Sequence, residues 1–137
     1  MRQQEKLPKN FLDVVAQREL GVESYVVLGN FLDTFYAAKQ SDHSSFIASE
    51  PPLSRLVGKK EYAYYAAMAE SLAQMYKLSV PSWTNKHYYF LSEQDADVIG
   101  RAPGVLRPEH EDLIRRETPS PFARRNVFVS PNALTRI

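Results

Sequence analysis

The side chains that could do chemistry are few and widely spaced. His43, His87 and His110 form no HxH or HxxxH pair, so their spacing supplies no metal-ligand set. Asp95, Asp97, Glu109, Glu111 and Asp112 gather along the sequence. A carboxylate pair for acid–base work or for Mg²⁺ needs convergent geometry that this spacing does not provide. Glu109, Glu111 and Asp112 fit better as favourable charges at a helix N-terminus. No GxxxxGK[ST], GxGxxG or GxSxG occurs, so neither a phosphate cradle nor a nucleophile elbow can be read. The chain has no cysteine, which removes disulfides, thiol catalysis and thiolate metal sites together. The expectation is a chain with no catalytic residues, no metal and no cofactor.

The C-terminal stretch Thr118 to Ile137 carries a different chemistry. From Arg101 onward there are seven arginines (101, 107, 115, 116, 124, 125 and 136), four acids and no lysine. Arginine without lysine favours planar, bidentate contacts to carboxylates or phosphates over a merely solvated face. Arg124-Arg125-Asn126 runs directly into the apolar Val127-Phe128-Val129, and Pro119 and Pro121 stiffen the approach. Aromatics beside arginine are the usual make-up of an interface hot spot. The same pattern also describes a tail in which Phe122, Phe128 and Leu134 staple the chain to its own core. The aromatic run Tyr62, Tyr64, Tyr65, Tyr76, Trp83, Tyr88, Tyr89 and Phe90 has only Lys59, Lys60, Lys77 and Lys86 near it. That is too little positive charge for a base-stacking platform, so core packing is the better reading.

The elements that must position these residues are mainly helical. Residues 8–19 predict a first helix, with Phe11, Leu12, Val14 and Val15 on one face and Gly21 as its stop. Residues 22–39 predict a second, with Tyr25, Leu28, Leu32, Phe35 and Tyr36 at three- and four-residue steps. Gly29 inside it suggests close approach by another helix. Residues 41–58 connect, with room for a short helix at 44–49. The strongest helix is 59–76, free of Gly and Pro, where Tyr62, Tyr65, Ala66, Ala69, Leu72, Ala73 and Tyr76 line one stripe and Tyr64, Met68 and Met75 a second. Tyr88 to Leu91 is short, aromatic and β-prone, fit for a lone strand or a core-anchoring loop. Residues 100–108 read as a loop and 109–117 as a short helix with Leu113 and Ile114 inward. A last turn follows at 133–136, capped by Ser130.

The whole predicts a compact helical bundle of four to five helices with a short aromatic extended segment and a docked tail. At 137 residues the chain has the size of one domain, with an N-terminal helix pair at 8–39 and a second region at 59–137. Its formal net charge of +1 gives no global field toward nucleic acid or an acidic membrane. The polar N-terminus has no signal-peptide pattern, and no apolar run approaches the ~20 residues of a membrane span, so the expected location is the cytoplasm.

The string Glu117 to Arg136, ETPSPFARRNVFVSPNALTR, resembles the C-terminal signature of a family of small bacterial antitoxin-like proteins, ESP-x-x-F-[RK]-x-RN-[IV]-F-[IV]-S-x-N-x-L-x-R. Val80-Pro81-Ser82-Trp83 resembles the family's [LV]-P-x-W, and Tyr88 to Leu91 its Y-[FY]-L. The likeness covers about residues 50–137 and leaves the N-terminal helices without a counterpart. Family members often stand beside a nucleotidyltransferase-like toxin, and some carry a preceding helix-turn-helix domain, which is not expected from the N-terminal residues of this sequence. The resemblance implies a non-catalytic partner subunit that neutralises a toxin by direct binding. Its candidate partner-binding residues are Trp83, Phe122, Arg124, Arg125, Asn126, Phe128 and Arg136, with the arginines meeting acidic groups on the partner. Two alternatives stay open. One is a DNA-binding regulator of its own operon, for which the second helix is too apolar to serve as a recognition helix. The other is a small enzyme built from scattered residues.

Overall fold

Asn10 begins the first helix by accepting a hydrogen bond from the Asp13 backbone N–H (2.9 Å). Helix α1 therefore runs Phe11–Glu19 and Pro8 lies outside it. In the computed structural model, which describes residues 7–98 and 108–136, α2 spans Ser24–Ala37, α3 His43–Ala48, α4 Lys59–Met75, α5 Pro108–Glu117 and α6 Ser120–Ala123. The described chain is mainly helical, as the periodicity predicts. The predicted loop at 100–108 lies outside the described residues except for Pro108, which opens α5.

The described residues group into two compact units, 7–57 together with Arg136, and 58–98 with 108–135. In the first unit, Gly21 holds φ +90°, a left-handed conformation that suits glycine and lets the chain reverse after α1. Phe11, Val14 and Val15 of α1, Val27, Phe31, Leu32 and Phe35 of α2, and Phe46 and Ile47 of α3 are buried. Phe31 meets Phe11 at 4.9 Å and the edge of Phe46 at 5.7 Å. His43 is buried too, stacked on Phe35 (4.3 Å) with Nε2 3.1 Å from the Phe35 carbonyl oxygen. Tyr25, expected on the inner stripe of α2, is instead 75% exposed, and the buried face begins two residues later, at Val27.

Gly29 makes room for a guanidinium rather than a helix. A Cβ there would lie 2.9 Å from Arg136 Nη2. Arg136 forms a fork on Asp33, with Nε donating to Oδ1 at 2.9 Å and Nη2 to Oδ2 at 3.1 Å. That hydrogen bond, outweighing the opposing effect of burial, holds the Asp33 carboxyl below its ordinary value. A depressed carboxylate stabilises the fold above its unfolded-state pKa, and the effect is lost as pH falls through the lower folded value. NMR titration should place the Asp33 midpoint below the usual aspartate range and return it there in Arg136→Ala. An unchanged midpoint in the variant would break the assignment.

In the second unit, α4 is the central element. Tyr62, Ala63 and every residue from Tyr65 to Ala73 are buried, with Tyr64 half-buried. The small alanines let α6, the turns at 82–85 and 87–89, and residues 127–128 all approach it. Met75, expected in the second stripe, is 57% exposed at the helix end. The helix ends as Lys77 turns left-handed (φ 57°) and the Leu78 N–H returns to the Ala73 carbonyl at 2.8 Å.

Tyr88 to Leu91 is the anchoring loop and not a strand. Two 3₁₀ turns, Ser82–Asn85 and His87–Tyr89, rotate Trp83 and Tyr89 inward, where their rings meet edge to face at 5.1 Å. The extended pairing lies one step further on, where β1 (Asp97–Val98) and β2 (Val127–Phe128) run parallel in register Asp97↔Val127 and Val98↔Phe128. On α5, Leu113 is 44% exposed and Ile114 half-buried, so the helix turns a weaker apolar face inward than its pattern suggests.

Candidate functional site

The tail is folded onto its own unit, and one residue that sequence reading passed over explains how. Glu70 is the single charged side chain within the buried run of α4. Its Oε1 accepts a hydrogen bond from Arg125 Nη1 and lies 3.0 Å from Arg124 Nη2. Arg125 is fully buried, and three of its five N–H groups find acceptors while Nε has none among the described residues. Nη1 also donates to the Pro121 carbonyl and Nη2 to the Thr84 carbonyl, both at 2.7 Å. Its guanidinium stacks over the Phe90 ring at 4.6 Å. Burial draws the Arg125 pKa down, the hydrogen bond and charge of Glu70 oppose this, and the neighbouring Arg124 charge adds to the lowering. An arginine remains charged under such a shift, so the interior holds an ion pair.

Local backbone chemistry turns the chain into this position. α6 is a short turn opened by Pro119, with Pro121 and Phe122 buried beneath it. Phe122 packs against Tyr64 of α4 edge to face at 5.1 Å. Asn126 then adopts φ 62°, a left-handed conformation that Asn tolerates better than most residues. Its Nδ2 donates to the Leu91 carbonyl at 2.8 Å. The Leu91 N–H donates to the Arg125 carbonyl (3.2 Å) and the Asp97 N–H to the Asn126 carbonyl (3.1 Å), which sets the register of β1 on β2. Asn126→Val should lose the side-chain bond and strain the backbone, costing about 2–3 kcal/mol. Asn126→Gly, which keeps the φ, should cost about 1 kcal/mol. Urea unfolding followed by fluorescence of Trp83, the only tryptophan, measures both, and equal losses would remove the conformational argument.

Of the residues predicted to meet a partner, Trp83, Phe122 and Arg125 are interior, with exposures of 5%, 1% and 0%. They hold the unit together and in this fold are not presented to another molecule. Asn126 is half-buried and occupied by Leu91. Phe128 is half-buried beneath Arg115, whose guanidinium lies 4.6 Å from the ring centroid. Arg136 groups with the first unit. Arg124 and Arg136 are the outward members of the set, each side chain 43% exposed, and Arg124 is held by Glu70, by Asn85 Oδ1 at 3.0 Å and beside Phe90 at 5.5 Å. The structure thus brings Arg124, Arg125, Asn126 and Phe122 together with Glu70, Thr84, Asn85 and Phe90. A lone Glu in the apolar stretch Tyr62 to Ala73 was the sequence signal that could have found this cluster.

Among the described residues no group of three or more His, Cys, Asp or Glu is placed to hold a metal ion, and no helix is long and apolar enough to cross a membrane. Comparisons with protein-family models, curated proteins and solved structures return no match.

Proposed function

We propose that this chain is a non-catalytic, partner-binding protein of the antitoxin type that neutralises a nucleotidyltransferase-like toxin by direct contact. The observation that carries the reading is the outward guanidinium of Arg124. Two arginines share one carboxylate, so the cluster keeps one net positive charge, and the half-exposed Arg124 holds it at the surface beside an aromatic ring. A cation fixed before binding spends little conformational entropy when it meets an acidic partner. The tail motif that suggests the family is the element that builds this arrangement.

Co-expression with the toxin encoded by the adjacent gene tests the proposal. The chain should restore growth and elute with the toxin as one complex on size exclusion. Growth arrest despite abundant chain, with the two proteins eluting separately, would overturn it.

A further inference from the structure

We infer that the exposed apolar face at the α1–α2 turn of the first unit is a self-docking surface, on which a second copy of this chain seats about a two-fold axis. One arginine ties the face together. Arg18 Nη1 donates to the Val22 carbonyl at 2.9 Å and Nη2 to the Leu56 carbonyl at 3.5 Å, which sets the turn after α1 beside the turn at 54–57. In that second turn the Val57 N–H donates to the Ser54 carbonyl (3.3 Å), and Val57 enters the core while Leu53, Arg55 and Leu56 stay out. Leu20, Leu53 and Leu56 are 83%, 73% and 59% exposed, and Tyr25 and Val26 at the start of α2 are exposed as well. Five large apolar side chains in one neighbourhood make a patch on the order of several hundred Å², which monomeric chains rarely leave open.

The charges around the face select a second copy as its occupant. Glu19 and Glu23 flank the α1–α2 turn and Arg55 lies in the turn beside it, all exposed and none in an ion pair among the described residues. A two-fold contact sets residue i against j and j against i, so the glutamates of each copy meet Arg55 of the other. An acidic membrane surface would be repelled by the two glutamates, and a phosphate chain calls for a row of cations that this face does not have. A partner of single charge sign gains at one edge of the face and loses at the other. The size of the unit gives a second reason. It spans 7–57 with Arg136, and a unit that short buries a small share of its apolar surface. The chain has no cysteine for a disulfide staple, and association is another common way for a small unit to cover its core. Self-docking does not depend on the antitoxin reading.

Sedimentation velocity of the full chain from about 1 to 200 μM tests this. A monomer–dimer equilibrium with its midpoint in the micromolar range is expected. Leu20→Ser with Leu56→Ser should weaken the dimer at least about tenfold and leave the helical circular dichroism unchanged, since both side chains face water in the single copy. Charge variants keep the test decisive if that pair impairs folding. Glu19→Lys with Glu23→Lys, and separately Arg55→Glu, should each shift the chain toward monomer. An equimolar mixture of the two should form a heterodimer at least about tenfold tighter than either forms with itself. A chain that stays monomeric across the range overturns the inference, whether the face then takes up anionic vesicles, another protein or nothing. A dimer indifferent to Leu20→Ser with Leu56→Ser, or charge variants that do not recombine, overturns it as well.

Discussion

Glu70→Ala should destabilise the second unit by about 3–5 kcal/mol, because it strands the fully buried Arg125 without a counter-charge. The two carbonyls of Pro121 and Thr84 would remain, but dipoles do not replace an ion in a low-dielectric interior. The loss belongs to the broken pair and not to the pair's net worth. A double variant, Glu70→Leu with Arg125→Met, removes both charges and fills similar volume. It should recover part of the loss, with a coupling energy of about 1–3 kcal/mol across the cycle. Urea unfolding read by Trp83 fluorescence reports on this unit directly, since Trp83 is buried within it. Additive losses in the double variant would mean that Glu70 and Arg125 do not act as a pair.

Phe122→Ala should cost about 3–5 kcal/mol, whereas Phe128→Ala should cost roughly 1 kcal/mol. Phe122 is 1% exposed and packs edge to face on Tyr64, so its removal leaves a cavity between α6 and α4. Phe128 is half-buried and loses mainly the stack with Arg115. The contrast separates the two roles the sequence left open for tail aromatics. Phe122 acts as the internal staple, and a small stability effect at that position together with lost partner binding would reverse the assignment.

The helices were legible because their apolar residues recur at helical spacing and because Gly21 stands where α1 ends. The centrality of α4 was legible in its alanines and tyrosines. What stayed hidden was non-local. The lone Glu70 in the apolar stretch Tyr62 to Ala73 hints at a buried charge, but the period of α4 does not name what pairs with it. Its partner sits 55 residues away in sequence. For the same reason the spacing could not tell Arg124 from Arg125. Both precede an apolar run, and only the turn at Asn126 decides which points in. The arginine-without-lysine pattern did announce planar contacts to carboxylates. For Arg125 and Arg136 those carboxylates lie in the chain itself, on Glu70 and Asp33. The 3₁₀ turns at 82–89 were missed as turns because Tyr88-Tyr89-Phe90-Leu91 has strand-like composition, while the local hydrogen bonds Tyr89 to Lys86 and Phe90 to His87 override it.

Two neighbouring arginines have opposite jobs, one locking the tail inside and one facing out. Substituting the same residue at each position tests it most directly. Urea midpoints of Arg124→Met and Arg125→Met, read by Trp83 fluorescence, should differ sharply. Arg125→Met should lose about 2–4 kcal/mol as the Thr84 and Pro121 carbonyls go unsatisfied, and Arg124→Met should stay within about 1 kcal/mol of wild type. Equal losses at the two positions, or a larger loss at Arg124, would mean that the two arginines do not divide the work in this way.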